Sequence, residues 1–393
     1  MTIIPIDLPR ARRDTPGCER VLHFNNAGAA LMPTQVLDAV TGHLRLEAET
    51  GGYEAAAAVY EKVEHVYDAA SRLIGCRRDE IAAVENATRA WDMAFYAIPF
   101  KPGDRILTSV SEYASNVIAF LQVARRTGAQ VEVIPNDDYG QVSVDALAGM
   151  VDKRVRLVAV THVPTNGGLV NPAAAIGKIV RQAGILYLLD ACQSVGQMPV
   201  DVQVIGCDML SVTGRKFLRG PRGTGFLYVR REVLERLDPP FLDLHAAKWT
   251  AKDRYEIQPG ARRFENWETN VAGKIGLGAA IDYALGWGLE NIWVRISGLA
   301  SELRARLGEN PRVHLHDLGA EKCGIVTFTL KGRTSEEVQG SLAAQKINIS
   351  VSLAEYTRID MDSRGLESVL RASVHYYNSE EEVERFCQAM LRL

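Results

Sequence analysis

The chain has 393 residues, 47% hydrophobic and 24% charged, more than one compact core usually holds, so two associated domains are expected. Lys+Arg at 45 against Asp+Glu at 48 leaves a net charge of −3 and a pI near 6.3, a balance that disfavours a nucleic-acid or polyanion partner. The apolar runs fall far short of the roughly 18 residues of a membrane span, no signal-peptide pattern is visible, and Cys18, Cys76, Cys192, Cys207, Cys323 and Cys387 form no CxxC pair; a reduced, cytoplasmic, globular protein without a cysteine-built metal site is expected.

Periodicity predicts helices over Pro33–Glu47 and Glu54–Ile74, then the short run Ile81–Val84, helix Ala87–Ile98, the run Arg105–Val110, helix Asn116–Arg126 and the run Gln130–Ile134. Val155–Thr161, helix Pro172–Ala183, Ile185–Asp190, Met209–Thr213 and Gly225–Val229 continue the series. Such alternation is the signature of an α/β domain with a mostly parallel sheet and helices on both faces, and such sheets place ligands at the carboxyl ends of their strands. After the irregular stretch Asp238–Glu268 come helices Asn270–Trp287 and Glu290–Leu307, strands near Val313–His316 and Gly324–Leu330, helix Ser335–Ala344, strands Ile347–Val351 and Val369–Val374, and helix Ser379–Leu391. The expected division is a segment 1–29 at the domain junction, a large domain 30–265 and a smaller α+β domain 266–393.

Lys216 sits in a loop between two predicted strands, flanked by Thr213, Gly214 and Gly220. Alone it reads as a solvated lysine in a polar hairpin. Upstream, Asp190 ends a strand that reads as buried, and an acid there is costly unless a cation partners it; a structural salt bridge would serve. Together, a strand-end aspartate and a loop lysine are what pyridoxal phosphate requires: an amine for the Schiff base and a carboxylate that keeps the pyridine nitrogen protonated. Val84–Asp92 enters a helix at Ala87–Thr88, whose free N–H groups and dipole suit a phosphate, although any helix N-terminus offers as much.

The order N-A-T-x-A, S-x-x-E-Y-x-S-N, T-H-V-x-x-x-x-G, D-A-C-Q-S-V-G, T-G-R-K-x-x-x-G-P-x-G-x-G-x-L-Y and L-R-A-S-V-H-Y-Y-N resembles the class V aminotransferase family of fold-type I pyridoxal phosphate enzymes. That family includes cysteine desulfurases, selenocysteine lyase, kynureninase, isopenicillin N epimerase-like proteins and ergothioneine-type C–S lyases. The resemblance implies Lys216 as the Schiff-base lysine, Asp190 as the pyridinium partner and Gln193 on the ring hydroxyl. Ala87, Thr88 and Thr213 match the phosphate cup, Arg215 stands where desulfurases usually show histidine, and Tyr113 takes the place of the residue stacked on the ring. Thr165 and Asn166 share the position of the family's asparagine. Arg371 matches the arginine that grips the substrate carboxylate, and Asn26, Ala27 and Gly28 match a segment lying over the substrate. Thr269 matches a threonine completing the neighbouring subunit's phosphate cup, which implies a homodimer with shared sites.

Desulfurases carry a nucleophilic cysteine on a loop of the small domain, and Ser350–Leu370 has none, so persulfide transfer is not expected. Cys192 and Cys323 read as small core residues in strands, and His162 as a core or supporting histidine. Glu47–Ala55, with Tyr53, resembles the E-x-G-G-Y-x-A segment of the ergothioneine-type lyases. The expectation is therefore a C–S lyase that eliminates sulfur from a cysteine S-conjugate or a cysteine sulfoxide-type amino acid, with release of pyruvate and ammonia; a cysteine desulfurase ranks below it. The alternatives are an aminotransferase, an epimerase-like enzyme, decarboxylation-linked deamination of an S-conjugate, and a non-catalytic scaffold of the same fold. Specificity is expected from Phe241–Tyr255, including Lys248, Trp249 and Arg254, and from Tyr356–Arg358.

Overall fold

A computed structural model describes residues 3–393. Its main sheet has seven strands. Ile81–Val84 lies at one edge, antiparallel to Gly225–Val229, which is antiparallel to Met209–Thr213. Leu186–Asp190, Val155–Thr161, Arg105–Thr108 and Gln130–Val133 follow in that order, all parallel. The central strand Leu186–Asp190 is buried throughout, and its side chains alternate between two cores: Tyr187 and Leu189 join one, Leu186 and Leu188 the other. That period of two explains why an unbroken apolar run forms a strand covered on both faces. Thr108, Thr161, Asp190 and Thr213 all end parallel strands on the same edge of the sheet.

A second, antiparallel sheet takes the order Val313–Leu315, Ile325–Leu330, Ser368–Ser373, Ser350–Leu353. Leu289–Gly308 and Ser335–Ala343 pack on it, with Glu380–Leu391 against the former. The start of the chain joins this unit: Leu22–His23 pairs in parallel with Ile347–Asn348, and Asn25 bridges to Ser373. Val271–Trp287 packs instead on Thr34–Thr50 and Tyr60–Ile74. No described helix is long and apolar enough to cross a membrane.

Four local details differ from the sequence-based reading. The helix expected over Glu54–Ile74 breaks at Val59, which leaves helical geometry between Gly52–Ala58 and Tyr60–Ile74. Inside the stretch read as irregular, Ala247–Ala251 and Arg254–Ile257 form a hairpin, whose mostly exposed residues show no apolar alternation. Val144–Met150 is a short helix capped by the Ser143 hydroxyl, which accepts from the Ala146 amide at 3.2 Å. The strand read over Ile347–Val351 is two strands with different partners.

Candidate active site

The strand ends enclose a cavity of about 450 Å³. Ala87, Thr88, Tyr113, Thr165, Asp190, Gln193, Thr213, Arg215 and Lys216 line it, together with Asn86, Asn116, Thr161, Val163 and Cys192. Lys216 lies past the end of Met209–Thr213, in a loop held tightly. Gly220 N–H donates to Gly214 at 2.8 Å and Arg219 N–H to the Lys216 carbonyl at 2.9 Å. His375 Nε2 lies 3.0 Å from the Phe217 carbonyl. From below, Gly196 (φ +96°) lets the backbone of Phe217 approach so closely that a Cβ would sit 2.4 Å from its carbonyl carbon; only glycine combines that φ with that approach.

Arg219 secures the same loop. It is fully buried, donating to Leu31 O (2.8 Å), Tyr376 Oη (2.6 Å) and Thr15 Oγ1 (2.5 Å). Its guanidinium also lies over the Tyr377 ring at 4.5 Å. Burial pushes the Lys216 amine below its ordinary value; Asp190 opposes the shift, while Arg215 and Arg371 reinforce it.

Asp190 ends its strand with both carboxylate oxygens directed. Cys192 N–H donates to Oδ1 at 2.9 Å, and Asn116 Nδ2 donates to Oδ2 at 3.2 Å. The same Asn116 nitrogen donates to Glu112 Oε1 at 2.8 Å. Glu112 and Asn116 are the functional neighbourhood that the motif reading passed over. The signal was present in S-x-x-E-Y-x-S-N, where positions i and i+4 put both side chains on one side of the helix start.

The remaining expected residues fall into three groups. Arg371 does not itself line the cavity; it is buried against Thr165, which does, with its Nη1 on the Thr165 hydroxyl and, at 3.3 Å, on the Thr165 carbonyl, while its Nε has no partner. No carboxylate pairs with it among the described residues, and burial, with Arg215 adding, lowers it to about 10. Ala27 and Gly28 touch the cavity wall through their carbonyls, which accept from Gln193 Nε2 at 3.1 Å and from Arg215. Asn26 faces away, tied to the Ser373 carbonyl at 2.7 Å and to Tyr377.

Asn166 is outside the cavity, donating to Thr357 Oγ1 at 2.9 Å and accepting from Ser352, so of the two candidates only Thr165 lines it. Thr269 and Tyr53 do not line it, and Tyr53 is 77% exposed on a surface helix. Phe241, Trp249 and Tyr255 are exposed and also absent from the wall, as are Lys248, Arg254 and Arg358, the last paired with Asp362 at 3.3 Å. Tyr356 acts electrostatically on Arg371, from a turn, Ala354–Tyr356, packed on the helix Ala114–Thr127. Cys192, read as a core strand residue, instead follows the strand end and lines the cavity, its thiol held well above its ordinary value by burial; Cys323 is fully buried. His162 is a buried, neutral histidine with Nδ1 unpartnered.

The wall fits pyridoxal phosphate. Gln193 Oε1 is buried without a partner. Asn86 caps the helix Ala87–Phe95 by accepting from the Arg89 amide at 2.9 Å, and the Ala87 and Thr88 amides stay free for an anion. A lysine with lowered affinity for its proton faces a strand-end carboxylate across the same space. This fold and donor set define a fold-type I pyridoxal phosphate enzyme.

The family profile described as Aminotransferase class-V matches residues 22–386, and the chain belongs to that family. It is 30% identical to a probable cysteine desulfurase of Methanothermobacter thermautotrophicus, over 95% of this chain and 94% of that one. It is 31% identical to a probable cysteine desulfurase of Xylella fastidiosa, over 98% and 95%. A solved apo structure of a cysteine desulfurase from Thermococcus onnurineus superposes with a TM-score of 0.92 at 28% identity, covering 100% of this chain and 99% of that chain.

These relatives overturn the expectation of a C–S lyase acting on cysteine S-conjugates and favour instead the desulfurase reading that the missing loop cysteine had ranked below it. The structure supplies a physical reason: the E-x-G-G-Y-x-A segment that carried the lyase reading sits on an exposed surface helix, and its Tyr53 does not line the cavity.

Proposed function

We propose that this enzyme removes the sulfur of free cysteine, leaving alanine. The observation that carries the reading is Arg371, a buried guanidinium bound to Thr165 of the cavity wall, with an unpartnered Nε and no carboxylate to neutralise it among the described residues, in electrostatic reach of Lys216. An α-amino acid meets both: its carboxylate takes the planar fork, and its amine comes to the lysine. The relatives named cysteine desulfurase supply the substrate class.

Pyridoxal phosphate, when bound, supplies the electron sink that makes the bonds at the substrate's α- and β-carbons labile. Ala87 and Thr88 amides, Thr213 and Arg215 hold the phosphate, Gln193 the ring hydroxyl and Asp190 the ring nitrogen. Lys216 Nζ, its affinity for protons lowered by burial, takes the α-proton and returns protons to the carbon skeleton as it becomes alanine. Tyr113, on the cavity wall, covers one face of the ring, and the Ala27 and Gly28 carbonyls brace Gln193 and Arg215. Thr269 completes the phosphate cup of the second subunit of a homodimer.

The sulfur acceptor comes from solution. Ser350–Leu370 holds no cysteine, and its turn beside helix Ala114–Thr127 offers the phenol of Tyr356. Cys192, the thiol on the cavity wall, is kept protonated by burial. An external thiol RSH attacks the substrate sulfur; the C–S bond breaks, an S–S bond forms, and cysteine plus RSH becomes alanine plus RSSH. Incubation of the holoenzyme with L-cysteine and a small dithiol should give alanine and sulfide in equal amounts. Pyruvate and ammonia in place of alanine would overturn the reading.

A further inference from the structure

Glu112 is a buried carboxylate, 1% exposed, with no basic side chain acting on it among the described residues. It is instead surrounded by donors. Thr161 N–H (3.0 Å) and the Thr161 hydroxyl, Tyr113 N–H (3.0 Å), Asn116 Nδ2 (2.8 Å), Thr108 Oγ1 (3.2 Å) and Ser109 Oγ (3.3 Å) all point at its two oxygens. These come from the ends of two parallel strands and from the start of the helix Ala114–Thr127. Burial pushes the carboxyl up and the donors pull it back. Nothing in the reaction described above uses this group, so its place needs another explanation.

Its bond to Asn116 gives one. A side-chain amide nitrogen has two N–H groups, and Asn116 spends one on Glu112 and the other on Asp190 Oδ2. With Glu112 as an acceptor, the amide has one orientation that satisfies both carboxylates; flipped, its oxygen would face two oxygens. We infer that Glu112 is a positioning residue: through Asn116 it fixes the Asp190 carboxylate toward the cavity. The bond to the Tyr113 amide fixes the start of the helix in the same stroke. Acting on both, Glu112 sets the electronic state of the cofactor without touching it. This rests on Asp190 meeting the ring nitrogen of pyridoxal phosphate.

The test reads that nitrogen directly and needs no turnover. Holoenzyme reconstituted with pyridoxal phosphate labelled with ¹⁵N in the ring is examined by NMR, alongside E112Q, N116A, the double variant and D190N. Glu112→Gln keeps shape but puts an NH2 in place of one acceptor oxygen, against the Thr161 amide at Oε2 or the Tyr113 amide at Oε1. Expected is a shift of the ring resonance toward the unprotonated position in folded, cofactor-loaded E112Q and N116A, with the full shift in D190N. The double variant should move it no further than the larger single change, because both act through one bond.

A wild-type resonance in a folded, cofactor-loaded E112Q or N116A, with D190N shifted, would overturn the inference. If D190N itself leaves the resonance unmoved, the assignment of Asp190 fails instead. Should E112Q not fold, N116A decides alone: it lacks the bridging amide and leaves Glu112 its other donors.

Discussion

Arg371→Lys separates carboxylate recognition from mere positive charge. In the wild type Nη1 is committed to Thr165, a residue of the cavity wall, and the buried Nε has no partner in the chain's described residues. Lysine keeps the charge and loses the fork, so one charged hydrogen bond to the substrate is forfeited, worth about 1.5–3 kcal/mol. At about 1.4 kcal/mol per tenfold, KM for cysteine should rise by roughly 10- to 150-fold, with kcat little changed if the bond is made equally in the ground and transition states. The assay is the initial rate of alanine formation against cysteine concentration. Cysteamine, which lacks the carboxylate, supplies the control: its already poor turnover should be the same in both proteins. A KM for cysteine within twofold of wild type, or a loss confined to kcat, would refute the assignment of Arg371 as the carboxylate seat.

Three further outcomes can be checked. His162 is held neutral by burial down to about 4 against an ordinary value of 6.5, so between these values the unfolded chain binds the extra proton. Its contribution is intact above pH 6.5 and shrinks as pH falls through that window, by about 2 kcal/mol at pH 5. Urea titrations at pH 7 and 5 should show His162→Gln losing less over this interval by that amount, and an identical loss would refute the linkage. Gly196→Ala should push the Phe217 backbone away and with it Lys216, so the folded variant should release pyridoxal phosphate on gel filtration while wild type retains it. For the proposed shared sites, mixtures of Lys216→Ala and Thr269→Glu, each inactive alone, should recover about a quarter of wild-type activity through the one intact site of a mixed dimer; no recovery after verified subunit exchange would count against the homodimeric site.

The large sheet was legible because buried strands such as Leu186–Asp190 read as continuous apolar runs between helices of regular period. What stayed hidden was non-local. Leu22–His23 and Ile347–Asn348 are two-residue strands from opposite ends of the chain, and nothing in either dipeptide announces its partner. The hairpin at Ala247–Ile257 faces solvent and carries no alternation.

Within the site, the motif residues Lys216, Asp190 and Gln193 do share one cavity. The glutamate beside Tyr113 was visible as a letter, but its ring of donors spans residues 108 to 161 and exists only after folding. Tyr53 shows the opposite failure: a motif match without a place in the cavity. Similarity of short segments reports ancestry, while the reaction depends on which side chains the fold brings to the cavity.

The loop carrying Lys216 is pinned from both ends of the chain, by Thr15 and Leu31 on one side and by His375 and Tyr376 on the other. On the ribosome, therefore, the sheet and its lysine emerge well before the residues that clamp them. A nascent chain that stops short of Ser368–Ser373 has Asp190 and Lys216 but neither Arg371 nor the aromatic anchor of Arg219. The tightly held conformation of that loop is therefore a property of the completed polypeptide, and prematurely terminated products carry the lysine without the residues that pin it from the far end.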